Sequence, residues 1–358
     1  MTKAKAALDS PAFAHSVIEW QRRAGRHHLP WQNTTDPYPI WLSEIMLQQT
    51  QVAAVIPYFQ RFVERFPTIV HLAAASEDDV LAVWSGLGYY ARARNLHAAA
   101  LDIVQHRQGG FPDRFEDIAA LAGVGRSTAG AIAVFAFDQR FPILDGNVRR
   151  VFARCFGIDG YPGSKAISDR LWALAERLLP DRDIRAYTQG LMDLGAQVCV
   201  RSRPHCHDCP LSARCVARLQ NRTDVLPTPR PRKVRPSRST VMLILERDGE
   251  VMLEKRPAPG IWGGLWSFPE IDAADGAEQI CRTRFGVDVA SADLMAPLEH
   301  GFTHFSLNIE PLRCRVTQRA SQVEAPGRMW VQLRDATTYP IPVPVRKLVG
   351  QLCNSQTD

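Results

Sequence analysis

Four closely spaced cysteines, Cys199, Cys206, Cys209 and Cys215, constrain this 358-residue chain more than any other feature. Their spacing, C-x6-C-x2-C-x5-C, lets four thiolates meet one small inorganic object, and a [4Fe–4S] cluster takes four such ligands. Zinc stays open on spacing alone, although structural zinc sites usually combine two short knuckles and only Cys206 and Cys209 make one. Two disulfides would need an oxidising compartment, yet Lys3, Lys5, Asp9, His15 and Glu19 interrupt any apolar leader. Arg201, Arg203, His205, His207 and Arg214 stand between the outer cysteines. A cofactor loop laced with cations suits a phosphate-bearing partner and points to chemistry on DNA.

The charge distribution agrees. The net charge is +6, yet residues 201–238 alone carry ten Lys/Arg against two Asp, so the basic surplus is local. Cys155, Cys281, Cys314 and Cys353 are scattered, as free thiols in a reducing compartment would be. No apolar run is long enough to span a bilayer. The expectation is a monomer of the bacterial cytoplasm, working on the nucleoid, with no membrane partner.

The patterning changes once along the chain. Val52, Val55, Ile56, Phe59, Phe62, Val63 and Phe66 recur at three and four, as do Val148, Val151, Phe152 and Cys155, so residues 1–225 read as a helical domain. Residues 226–236, with Pro227, Pro229, Pro231 and Pro236 among basic residues, read as a stiff linker. In residues 237–358, Thr240–Glu246 and Glu250–Glu254 around Asp248-Gly249 predict a β-hairpin, with further strands over 302–312 and 328–333.

Three places can bear chemistry. Leu121-Ala-Gly-Val-Gly-Arg-Ser-Thr-Ala-Gly130 predicts a hairpin between helices over about 114–137, whose Gly123 and Gly125 free backbone N–H groups for a phosphate. Asp145, in Leu144-Asp-Gly-Asn147, sits where a helix N-cap would, a placement that keeps a carboxylate ionised. Glu44 lies in the apolar run Ile40–Leu47, where burial would raise its pKa and make it a general acid. One protonated and one ionised carboxyl are what N-glycosidic cleavage asks for.

Together with Trp41-Leu-Ser-Glu-Ile-Met-Leu-Gln-Gln-Thr-Gln51, Gly86-Leu-Gly-Tyr-Tyr-Ala-Arg92 and the cysteine spacing, these motifs resemble the MutY-type adenine DNA glycosylases of the helix–hairpin–helix superfamily, relatives of endonuclease III. The resemblance covers the whole chain. It implies an all-α helix–hairpin–helix catalytic domain with a [4Fe–4S] module at 199–215, followed by an α/β Nudix-like domain similar to MutT. It implies that Glu44 protonates adenine and Asp145 stabilises the sugar cation. Gln48, Gln49, Thr50, Leu87, Tyr89 and Asn147 would contact DNA, Arg26 would lie near the adenine pocket, and Cys199, Cys206, Cys209 and Cys215 would ligate one [4Fe–4S] cluster. The partner implied is duplex DNA carrying adenine opposite 8-oxoguanine or guanine.

Ser127 stands where bifunctional relatives carry a lysine, and a hydroxyl cannot form a Schiff base, so base excision without strand cleavage is expected. Phe302-Thr303-His304 falls on the family's F-S-H loop, with threonine for serine. Gly264 and Glu270 resemble the start of a Nudix box, but Glu278-Gln-Ile-Cys-Arg-Thr283 lacks its carboxylate cluster, so hydrolysis of free nucleotides is not expected. The competing readings are an endonuclease III-like glycosylase/lyase, opposed by Ser127, and a non-catalytic iron–sulfur damage-binding protein, opposed by the Glu44–Asp145 pair.

Overall fold

The computed structural model describes residues 10–231, 235–302, 304–319 and 326–355. Thr303 therefore lies outside the described residues. Helices α1 (Ser10–Ala24), α2 (Pro37–Leu47), α3 (Val52–Arg65), α4 (Ile69–Ala74), α5 (Glu77–Trp84) and α6 (Ala91–Arg107) are followed by the hairpin helices α7 (Phe115–Ala120) and α8 (Arg126–Phe137). Then come α9 (Gly146–Cys155), α10 (Lys165–Arg177), α11 (Ile184–Asp193) and the short α12 (Val216–Leu219), with one π turn at Leu194–Val198.

The chain forms two compact units, Met1–Ala73 with Ala98–Arg232, and Ala74–His97 with Lys233–Asp358. This differs from the division expected from sequence, because α5 and the first turns of α6 cluster with the C-terminal residues. Hydrogen bonds explain the assignment. Asp78 accepts from Lys255 Nζ at 2.7 Å and Trp266 Nε1 at 3.2 Å, and Ser85 Oγ accepts from Arg346 at 3.1 Å. The start of the expected linker also belongs to the first unit: Leu226 is buried and Thr228 Oγ1 accepts from Gly160 N at 3.0 Å.

In the first unit Phe13, Val17 and Trp20 of α1 share a core with Val148, Val151 and Phe152 of α9 and Tyr187 and Leu191 of α11. The apolar positions are three and four apart, so each helix turns one stripe inward. Phe13 meets Phe152 edge-on at 5.9 Å, which fixes α1 against the second half of α9.

The second unit is built on a mixed sheet of β1 (Ser237–Arg247), β2 (Glu250–Lys255), β3 (Trp266–Ser267), β4 (Glu270–Ile271), β5 (Val287–Leu294), β6 (Leu298–Gly301), β7 (Ser306–Arg319) and β8 (Arg328–Gln332). The spine runs β3-β2-β1-β7-β5, with β4 on β1, β6 on β7 and β8 on β2. The expected hairpin is present: Glu246 opposes Val251, and Asp248 and Gly249 both have positive φ, as the tightest hairpin turn demands. Strand β1 pairs in parallel with β7 and is buried from Val241 to Leu245, so it reads as a continuous apolar run. Helix α13 (Ala277–Phe285) covers one face through Cys281 and Phe285, and α14 (Val343–Asn354) closes the chain. The strand expected from Phe302 starts at Ser306 instead, because Phe302 N bonds to Phe305 O at 2.8 Å and closes a turn there.

Candidate active site

Helix α2 carries Glu44. Asp36 caps it by accepting from Tyr38 N at 3.0 Å, and Pro37 opens its first turn. Tyr38, Ile40, Trp41, Leu42, Ile45 and Met46 are buried around it, leaving Glu44 facing a pocket of about 460 Å³ shared with Arg26, Trp31, Gln32, Leu47 and Gln189. Burial, and secondly the charge of Asp145, push the Glu44 carboxyl up to about 8. The two carboxyls that the sequence alone could not bring together are therefore neighbours.

Asp145 is the N-cap of α9, its Oδ1 accepting from Val148 N at 2.8 Å. Asn147 Nδ2 donates to the other oxygen at 3.3 Å. Burial raises the Asp145 carboxyl from its ordinary value, against the opposing pull of the Val148 amide that the cap engages, Arg150 and Asn147. Those same groups favour the anion at Asp145, so of the two carboxyls Glu44 is the better proton holder.

Behind Asp145 lies a polar chain that spacing did not reveal. Arg150 donates to Asn147 Oδ1 at 2.8 Å, Gly195 O at 2.7 Å and Cys199 O at 2.7 Å. The π turn brings Gly195 so close that a Cβ there would lie 2.4 Å from Asn147 Cβ; only glycine fits. Ser127, expected only to lack an amine, also ties the site: its Oγ accepts from Leu144 N at 2.9 Å.

Arg26 does line the Glu44 pocket. It is held there by Asp193, which accepts from Arg26 Nε at 2.7 Å and from its backbone N at 2.8 Å. Asp193 is fully buried and also accepts from Gln189 Nε2 at 2.9 Å. Sequence reasoning missed it, since a carboxylate at a helix end reads as solvent-facing. Gln48 closes α2 and donates to Gly123 O at 3.3 Å and Thr128 Oγ1 at 3.4 Å, binding the Gln-Gln-Thr turn to the hairpin. Gln49 is exposed with φ of 59°. In the hairpin Gly123 has φ of 78°, and Gly125 caps α8 without a side chain, so the first amides of α8 have no helix partner.

Cys199, Cys206, Cys209 and Cys215 line one cavity with Arg154, Leu194 and Leu211. Arg154, 2% exposed, threads the loop by donating to Leu226 O, Val200 O and Arg201 O at 2.7, 2.7 and 2.9 Å, and to Cys199 Sγ at 3.5 Å. Among the described residues no three His, Cys, Asp or Glu groups are set to hold a single ion. Cys155 lines the same cavity and hydrogen-bonds to Cys215, making five sulfurs; the four of the loop, with a buried guanidinium beside them, fit an anionic polynuclear cluster.

Residues 42–177 match the HhH-GPD superfamily of base excision DNA repair proteins, and residues 240–351 match the NUDIX domain. An adenine DNA glycosylase of Buchnera aphidicola (subspecies Acyrthosiphon pisum) is 36% identical, over 94% of this chain and 96% of its own length. The chain belongs to the adenine DNA glycosylase family. The Homo sapiens adenine DNA glycosylase is 31% identical over 94% of this chain and 73% of its own length. A thermostable thymine-DNA glycosylase superposes with a TM-score of 0.54 at 27% identity, covering 59% of this chain and 97% of that one.

In this adenine DNA glycosylase the C-terminal unit carries the remaining expected residues. Tyr89, at φ of 50°, is 48% exposed at the tip of the Gly86–Tyr90 turn. Leu87 is 8% exposed and lines a cleft. Arg92 props the turn by donating to Gly88 O at 3.1 Å. His304 is exposed. Of the Nudix-box remnant, Glu270 pairs with Arg256 at 2.5 Å; Glu254, which lines the same cleft, lies between Arg284 at 2.7 Å and Arg328 at 3.0 Å. Among the described residues no helix is long and apolar enough to cross a membrane.

Proposed function

We propose that this glycosylase is monofunctional, flipping adenine opposite 8-oxoguanine or guanine out of duplex DNA and hydrolysing its N-glycosidic bond. The observation that carries the reading is the Glu44–Asp145 pair, with the Glu44 carboxyl raised to about 8 and therefore protonated at neutral pH. Flipping costs a few kcal/mol and delivers adenine to the Glu44 pocket. Glu44 gives its proton to an imidazole nitrogen of adenine, so the base leaves neutral with the electron pair of the broken C–N bond. The cation left on the sugar faces Asp145, whose anion is favoured by Arg150, Asn147 and the Val148 amide. Water adds to the sugar carbon and its proton returns to the carboxylate pair.

Ser127 supplies a hydroxyl that positions Leu144 and offers no amine, so no Schiff base forms and the strand stays intact. The first amides of α8 at Gly125 suit a phosphate, Gln48, Gln49 and Thr50 the gap left by adenine, and Tyr89 and Leu87 the neighbouring stack. Phe302, Thr303 and His304 address the opposite base. Cys199, Cys206, Cys209 and Cys215 hold one [4Fe–4S] cluster, which when bound braces the basic 201–214 loop against the DNA backbone. The protein acts as a monomer, on DNA of the bacterial cytoplasm.

The test is a duplex with adenine opposite 8-oxoguanine, resolved with and without alkali. Breaks only after alkali are expected. Breaks without alkali would make the chain a lyase, and binding without any abasic product would make it a damage sensor.

A further inference from the structure

Three pieces of the C-terminal unit line one cleft of about 520 Å³: the Gly86–Tyr90 turn, the Gly260–Gly263 turn and the end of β6 at His300–Phe302. The first and third are assigned above to DNA and the opposite base. The middle one has no assignment, yet like the Tyr89 turn it holds a bulky residue at positive φ. Trp262 has φ of 53°, a conformation unfavourable for a bulky residue that persists only where the surroundings impose it.

Those surroundings can be named. Arg94 Nη1 donates to Gly263 O and Arg256 Nε donates to Ile261 O at 3.2 Å. A Cβ at Gly263 would lie 2.9 Å from Pro257 O, so no side chain fits there. One at Gly264 would lie 3.0 Å from Glu77 Oε1 and 3.4 Å from Leu81 Cδ1, so the turn backs directly onto α5. Helices α5 and α6 are the two that flank the Tyr89 turn. On its other side the Trp262 ring, in a residue 8% exposed, lies 5.6 Å from His300 and 5.5 Å from Phe302. Phe302 stacks on Phe305 at 4.5 Å, and Arg238 covers Phe305 at 4.8 Å. A column of rings thus ties Trp262 to the two residues that flank Thr303 and His304 in sequence.

We infer that Trp262 is a positioning residue for opposite-base readout, holding Phe302, and through it the exposed His304, in register with the turn of Tyr89. The inference rests on the reading of those two loops given above. Trp262 acts through Phe302 and His300, so its effect falls on discrimination between 8-oxoguanine and guanine and not on bond cleavage.

The experiment uses the full-length holoprotein and duplexes with adenine opposite 8-oxoguanine or opposite guanine. It measures single-turnover excision at saturating protein, and Kd with a non-cleavable adenine analogue. Trp262→Leu keeps apolar bulk and removes the ring. It is expected to cut the Kd preference for 8-oxoguanine roughly tenfold, the scale of a few lost aromatic contacts, with excision changed less than about twofold. Trp262→Phe restores most of the preference, and Arg94→Gln, which frees the Gly263 tether, gives a smaller loss in the same direction. An unchanged preference in both Trp262→Leu and Arg94→Gln overturns the inference. So does equal weakening on both duplexes, which marks general loosening. Should Trp262→Leu not fold, Arg94→Gln and Trp262→Phe decide. If Tyr89→Ala and His304→Ala leave the preference intact, the loop assignment itself fails, whatever Trp262 does.

Discussion

Each unit of this protein contains a pair of carboxyls, and the two pairs have opposite fates. Glu254 and Glu270 lie among Arg256, Arg284 and Arg328 at 2.5–3.0 Å, so every negative charge has a cation in contact. Glu44 and Asp145 are buried beside each other, with Arg150 acting on Asp145 alone. The difference teaches that an acidic pair becomes chemically useful when burial outruns compensation. Salt-bridged carboxylates hold a fold together; Glu44, whose burial no cation offsets, holds a proton at neutral pH.

The sharpest way to break the comparison is Glu44→Gln. Excision of adenine should fall about 10³-fold or more under single-turnover conditions, while lesion-duplex Kd changes little. Excision surviving in this variant would remove the proton-donor role. Second, excision by the wild type should decline as pH rises through about 8, where Glu44 loses its proton. A linked effect has a fixed sign. The folded carboxyl titrates near 8 and the unfolded one near 4.5, so ionisation at high pH opposes folding. Glu44→Gln should therefore melt higher than wild type, by a margin that grows between these two pH values and is flat above them. The gain is on the order of a few kcal/mol.

A third change probes the cysteine loop. Arg154→Met takes this donor from the carbonyls of Val200 and Arg201 and from the buried one of Leu226. A loss of about 3 kcal/mol in denaturant unfolding is expected, with weaker visible absorbance from the cluster proposed at the four cysteines. The smallest effect belongs to the compensated pair. Arg256→Met should cost about 1 kcal/mol by thermal melting and leave excision at saturating protein within about twofold. A large catalytic loss there would mean that the two pairs are not as separate in role as their surroundings suggest.

What the sequence made legible were features written in local pattern. The stripe of α9, the Asp-Gly turn of the β1–β2 hairpin and the Asp145 cap each follow from residues a few positions apart. What stayed hidden depends on burial by distant chain. Asp193 looks like an exposed helix end until α11 packs it against Arg26, and Arg154 looks like an ordinary surface cation on α9 until the cysteine loop closes around it. The burial of Asp145 stayed hidden for the same reason: the cap is local, and the desolvation that opposes it is not. The place of Ala74–His97 with the C-terminal residues likewise rests on Asp78, Ser85 and Arg94, whose partners lie more than 150 residues further on.

Gly195 has no functional group, and an inventory by chemistry would pass over it. Yet the backbone of the π turn rides against Asn147 with no clearance for a single methyl. Asn147 touches Asp145, so the tolerance of the carboxylate proposed to face the sugar cation is set by a residue defined only by what it lacks. Inherited or random changes that silence this glycosylase should therefore collect at Gly195 as readily as at the acids themselves, and would be misread as simple misfolding.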